Sequence, residues 1–207
     1  MSEYVALLGS LFVVDLLAAM SPGPNFLVVS QSALSGPRGR AAAAVLGIVS
    51  MNLLWCLGVA VGLSSLFAVV PALYVALKVL GGLYLIHLGV RLWRSAGESP
   101  EPEAPPSKQS TRSSFGRAFL TAATNPKSVV YFGSVFSVFM HPDAPLWVQA
   151  AAVGIVLMNA LLWYGSVALL FSSALVQRRY AAIRAPIDRI AGAAIGAFGA
   201  RLVFVRD

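Results

Sequence analysis

From Ala41 to Leu77 the chain reads AAAAVLGIVSMNLLWCLGVAVGLSSLFAVVPALYVAL, without one charged residue. A helix crosses the hydrocarbon of a bilayer with about 20 apolar residues, so this stretch is too long for one span. Ser64, Ser65 and Pro71 place a turn inside it, which predicts spans over about 41–63 and 72–93. Ala144 to Gln177 is free of Asp, Glu, Lys and Arg as well, and supplies a span over about 146–172. Tyr4 to Leu34 carries one charge, Asp15, and is interrupted by Ser21-Pro22-Gly23-Pro24-Asn25. A span over about 115–140 contains Asn125-Pro126-Lys127, and a Gly- and Ala-rich span over about 186–205 carries Arg189 and Arg201. The fold class is therefore an all-α polytopic membrane protein with six transmembrane helices.

Composition agrees. Of the 207 residues, 58% are hydrophobic and 11% are charged, against roughly 45–50% and 25% in a soluble domain. The opening residues are acidic and the apolar run that follows is long, so the start reads as a retained span rather than a secretory signal. Cys56 is the single cysteine, which excludes a disulfide framework, a cysteine zinc site and a dithiol relay. His87 and His141 are far apart and form no helical metalloprotease motif.

The net charge is +7. A nucleic-acid partner would call for a basic soluble face; here the cations sit in short loops, and no nucleic acid is expected. Arg38 and Arg40, then Arg91, Arg94, Lys108, Arg112 and Arg117, then Arg178, Arg179 and Arg184 mark loops one, three and five. The positive-inside bias makes these loops cytoplasmic and puts both termini outside. The longest loop, residues 95–114, holds four prolines and three glutamates and reads as a solvated linker. It separates residues 1–94 from residues 115–207.

The two parts echo each other. Gly47-Ile48-Val49-Ser50-Met51-Asn52 returns as Gly154-Ile155-Val156-Leu157-Met158-Asn159. Gly82, Gly89 and Arg91 return at the same spacing as Gly192, Gly199 and Arg201. The first span of each part holds a proline break. Two three-helix repeats with an odd number of spans must be inverted relative to each other, and such repeats with broken helices point to a secondary transporter with its site at the breaks.

Asn125-Pro126 has the form of an N-cap followed by proline at the first helical position, and Ser21-Pro22 reads the same way. Each break would start a half-helix whose free N–H groups and positive dipole end suit a carboxylate. Gly23 lets a ligand approach the backbone. Plain proline kinks are the competing reading. Asp15 and Lys127 are charges at membrane depth, where each costs ~2.5–3.5 kcal/mol on the insertion scale and so must face the bundle or a cavity. Either Asp15 takes a substrate ammonium or a coupling proton while Lys127 attracts a carboxylate, or the two only pair with each other. Asn52 and Asn159 line the cavity or serve as interhelical glue. The candidate substrate-binding set is Asp15, Ser21, Pro22, Gly23, Pro24, Asn25, Asn52, Asn125, Pro126, Lys127 and Asn159, with no metal ligands and no catalytic residues.

Ser21-Pro22-Gly23-Pro24-Asn25, Asn125-Pro126-Lys127 and the Leu77-Lys78, Gly81-Gly82, Tyr84-Leu85, Gly89 pattern resemble the LysE/RhtB amino-acid exporter family over nearly the whole chain. The resemblance implies a bacterial inner-membrane exporter of an amino acid or close derivative, drawing on the proton motive force and using no cofactor. It carries over Pro22, Gly23, Pro24, Asn125, Pro126 and Lys127; Asp15 rests on burial alone. An exporter of metal cations is the alternative within transport, although hard cations need several oxygen ligands and soft ones thiolate or imidazole. An enzyme would need paired acids, a Ser–His dyad or a metal cluster, and Asp15 is the one acid read as lying well inside a span. A scaffold would be weakened by broken helices. No Walker-type phosphate loop is present. The expected partners are the amino acid and the lipid bilayer. The small-residue face of Gly192, Gly196, Gly199 and Ala200 suits a homodimer or, equally, packing within one protomer.

Overall fold

The computed structural model describes residues 2–21, 23–34, 37–69, 71–94, 96, 110–136, 139–140, 144–171 and 173–204. Its helices are α1 (Ser2–Met20), α2 (Pro24–Leu34), α3 (Arg38–Val69), α4 (Pro71–Arg94), α5 (Thr111–Thr124), α6 (Pro126–Val130), α7 (Leu146–Leu170) and α8 (Ala174–Phe204). A π-helical segment, Tyr131–Phe136, continues α6. Among the described residues there is no strand. Helices α2, α4 and α6 each begin on a proline, where the missing N–H has no helical partner to lose.

Glu3–Met20, Arg38–Gly62 and Leu146–Leu170 are long and apolar enough to cross a membrane. On α3 the exposed side chains include Leu46, Leu53, Leu54, Leu57 and Val61, and on α7 they include Leu161, Leu162, Leu169 and Leu170. Water would not tolerate such continuous apolar faces, whereas lipid does. Helix hydroxyls are satisfied within their own helices: Ser30 and Ser32 donate to Phe26 O and Val28 O, both at 2.7 Å.

Several boundaries differ from the sequence expectation. The turn is not at Ser64–Ser65, because α3 continues to Val69 and the new helix starts at Pro71. A serine can stay in a helix, whereas proline removes a donor and clashes with the preceding turn. The last helix begins at Ala174 and runs through Pro186 instead of starting there. Helix α5 starts at Thr111, because the Ser110 side chain accepts from Ser113 N at 3.1 Å and caps it.

Packing is closest where glycine lets backbones touch. Helices α4 and α8, which carry the matched Gly82…Gly89 and Gly192…Gly199 spacing, lie against each other. A Cβ on Gly89 would fall 2.5 Å from Gly192 O, and one on Gly199 would fall 2.6 Å from Gly82 O. The small-residue face of α8 is thus used inside the protomer. Gly47 of α3 likewise abuts the backbone of Phe115 on α5; its echo Gly154 has nothing within 4 Å. Gly89→Ala is expected to destabilise the protein by ~1–3 kcal/mol, since both helices must separate to admit a methyl group. A lowered thermal midpoint in detergent checks this; an unchanged midpoint contradicts the packing.

Two apolar cores result. One gathers Leu11, Val14, Leu85, Phe136, Phe139 and Ile195 around α1, the π segment, α4 and α8. The other gathers Phe26, Val29, Ala44, Ile48, Ala118 and Val167 around α2, α3, α5 and α7. The two helix breaks lie at their junction.

Candidate functional site

A cavity opens at the paired breaks. It is lined by residues of both cores, among them Ala18, Tyr131, Phe132 and Val156 from the first and Phe26, Ala160 and Tyr164 from the second. Its polar wall is made by Asp15, Ser21, Gly23, Asn25, Asn52, Asn125, Lys127 and Ser128. Seven of the residues expected from sequence are therefore brought together: Asp15, Ser21, Gly23, Asn25, Asn52, Asn125 and Lys127. Pro24 is exposed and opens α2 away from the lining. Pro126 takes the first position of α6. Pro22 lies outside the described residues.

The second break has the expected cap. Asn125 Oδ1 accepts from Lys127 N at 3.0 Å, and Val129 N donates to Asn125 O at 3.1 Å. The first break is built differently. Ser21 N still donates to Leu17 O at 3.1 Å, so Ser21 finishes α1 instead of capping α2. Helix α2 starts two residues later, with Leu27 N donating to Gly23 O at 3.0 Å. Pro24 explains the shift: it takes the first helical position, and the residue before it is held out of helical geometry. The side chain of Asn25 is then free of capping. Its Oδ1 accepts from Asn125 Nδ2 at 3.1 Å, which joins the two breaks across the cavity. Tyr164 sets its hydroxyl against the same Asn25.

Lys127 makes backbone contacts that the sequence reading did not anticipate. Its ammonium donates to Ala18 O and, at 3.1 Å, to Ser21 O. These are carbonyls at the C-terminal end of α1, where helical partners run out and the dipole is negative. Lys127 therefore holds the end of one broken helix from the start of the other. Asp15 faces the same cavity, but its Oδ2 accepts from Asn159 Nδ2 at 2.9 Å. Asn159 also donates to Phe12 O at 3.0 Å and has no exposed surface. It does not line the cavity; it ties α7 to α1 and fixes the Asp15 carboxylate. Its sequence echo Asn52 does line the cavity.

The sequence reading missed Ser128, Tyr131, Phe132, Val156, Ala160 and Tyr164. Helical periodicity carries the signal. Residues 128, 131 and 132 share the face that follows the second break, and 156, 160 and 164 share one face of α7. Asp188 was missed for another reason. It is buried at 2% exposure, a second acid at depth besides Asp15. Because α8 begins at Ala174, residue 188 falls mid-helix and not at the mouth of a span. Among the described residues no three His, Cys, Asp or Glu side chains come together as a cation would need.

The model of the LysE type translocator family matches residues 16–206. The threonine efflux protein of Escherichia coli K12 is 34% identical over 197 residues, 94% of this chain and 96% of that relative. The threonine efflux protein of Salmonella typhi is 35% identical over 201 residues, again 94% and 96% of the two chains. The homoserine/homoserine lactone efflux protein of Salmonella typhi is 33% identical over 140 residues, 67% of each chain. No solved structure matches. Relatives alike along almost their whole length and a family match from the first broken helix to the last leave one assignment: the chain is a membrane protein of the LysE type translocator family, a translocator and not an enzyme.

Proposed function

We propose that this chain exports a small amino acid across the bacterial inner membrane, binding it in the cavity at the two helix breaks. One observation carries the reading: Asp15, Lys127 and Asn25 of the first turn of α2 line the same cavity. An amino acid at neutral pH is a zwitterion, and this cavity offers a partner to each end. Asp15 takes the ammonium through the oxygen that Asn159 leaves open. The positive end of α2 takes the carboxylate, helped by the Lys127 charge. The alanines and Gly23 keep the chamber narrow.

Transport proceeds by alternating access, with two inverted three-helix repeats rocking about the cavity and Asp15 carrying the coupling proton. The cationic loops support the topology with both termini outside, and the packing brings helix starts together at one face. The Tyr4 and Trp147 rings meet at 5.8 Å, which puts the starts of α1 and α7 at one face. Arg117, midway along α5, donates to Gln31 near the end of α2 at 2.9 Å, which sets these two helices together. The family likeness to threonine efflux proteins makes threonine the first substrate to try.

The test is efflux from proteoliposomes loaded in turn with labelled neutral, basic and acidic amino acids, with and without a proton gradient. Efflux of one or two small neutral amino acids that rises with the gradient is expected. Movement of none of them, from protein that is folded and monodisperse, contradicts the reading.

A further inference from the structure

We infer that Asn52 selects the exported amino acid by its side chain, taking a neutral hydrogen-bonding group such as a hydroxyl over an apolar isostere. This rests on the cavity being the amino-acid site, as proposed above. Asn52 lines the cavity and is 9% exposed. Its amide has no hydrogen-bond partner among the described residues. Its sequence echo Asn159 spends the same group on Phe12 O and Asp15 Oδ2. A buried amide left unpaired is costly, and such groups are nearly always completed by a partner, by water or by a ligand.

Helix α3 sets its position. One turn before Asn52, Ile48 is fully buried in the second core; one turn after it, Cys56 is fully buried in the first. Asn52 therefore interrupts an apolar helix face where the two cores part and the cavity opens. It is the one lining residue that α3 supplies among the described residues. The helix is unbroken here, so its backbone groups are paired and the amide is what this wall offers a ligand. Trp55, three residues on, stacks on Phe132 at 6.0 Å, and Phe132 lines the cavity as well. That contact holds α3 against the apolar part of the chamber.

The missing partner has a definable chemistry. Asn25 and Asn125 bond each other, Tyr164 sets its hydroxyl against Asn25, and Lys127 holds Ala18 O and Ser21 O. The hydroxyls of Ser21 and Ser128 lie at the breaks themselves. With the ammonium at Asp15 and the carboxylate at the first turn of α2, both charged ends of the substrate are served from other helices. What is left for α3 is the substrate's side chain. An amide offers donors and an acceptor together, so a hydroxyl can accept from Nδ2 while it donates to Oδ1. An apolar side chain satisfies neither atom, and a charged one would meet a neutral group in a setting with little water. Apolar walls alone discriminate weakly between threonine and its isostere valine, whereas a polar group that needs a partner discriminates strongly.

The experiment is efflux of labelled threonine and valine from proteoliposomes holding the unmodified protein or Asn52→Leu, a change that keeps the branched shape and removes the amide. The unmodified protein should prefer threonine by about tenfold or more, the range of one buried hydrogen bond left unmade. Asn52→Leu should slow threonine and speed valine, so that the preference disappears or reverses. Its thermal midpoint in detergent should not fall, since no protein hydrogen bond is removed. A faster valine is a result that damage to the fold does not give. An unchanged ratio, or equal slowing of both amino acids, overturns the inference. Serine should also compete with threonine efflux in the unmodified protein where alanine does not; equal competition overturns it without any variant. If the unmodified protein moves threonine and valine alike, the exporter reading stands and Asn52 loses its role. If it moves no amino acid, both fall.

Discussion

Asp15→Asn lowers efflux roughly tenfold to a hundredfold while leaving the protein as stable as before. The size is that of a hydrogen bond to a charged group, ~1.5–3 kcal/mol. The stability follows from geometry. Asn159 Nδ2 donates to Asp15 Oδ2 at 2.9 Å, and an asparagine at 15 can turn its own amide oxygen to the same donor. What the variant loses is the negative charge that, in the proposed function, meets the ammonium and carries the proton. Efflux should therefore fall and its response to an imposed proton gradient should vanish, with the detergent thermal midpoint within error of the unmodified protein. Unaltered efflux with an unaltered gradient response contradicts the role given to Asp15. A collapsed midpoint would show instead that its charge is structural.

Lys127→Met behaves differently, because Lys127 has a second task. Its ammonium satisfies Ala18 O and Ser21 O at the free end of α1. Methionine fills similar space but donates nothing, so both carbonyls lose their partner in a setting with little water. Each unsatisfied group costs ~1–3 kcal/mol. The variant should unfold at a clearly lower temperature in detergent and should lose efflux as well. Lys127→Arg keeps donors on a bulkier planar head and should recover stability more than transport. Normal stability in Lys127→Met would contradict the capping geometry. The pair of variants separates the two charges that the sequence could only set side by side: one lines the cavity with its carboxylate held by Asn159, and the other secures the backbone at the end of α1.

The fold was legible where physics leaves little choice. The charge-free run from Ala41 to Leu77 has no soluble resting place, and Asn125-Pro126 has the chemistry of a cap at whatever depth it lies. The first break was harder. Ser21-Pro22 and Gly23-Pro24 offer two equivalent starts for a half-helix, and a local rule has no means of choosing between them. Asn159 and Asn52 occupy equivalent places in the sequence echo, yet one fixes Asp15 and the other lines the cavity. That split depends on how α7 is rotated against α1, a tertiary fact. Tyr131 was invisible as a site residue because an aromatic five positions past a break reads as ordinary core. Only its place on the cavity wall marks it out. Asp188 is hard to see in the sequence because Pro186 has the form of a helix start, whereas it lies inside α8.

The central claim is that the cavity between the two breaks is where the amino acid binds. Cys56 is the single native cysteine and is buried, so Cys56→Ala gives a clean background for a reporter thiol. Ser128→Cys places that thiol on the cavity wall. The rate of its alkylation by a small maleimide should fall as the exported amino acid is added, with a midpoint that tracks the concentration half-saturating efflux. An amino acid that is not exported should leave the rate alone. Alkylation that is indifferent to an exported amino acid at saturating concentration would contradict the account, and would move the binding site away from the paired breaks.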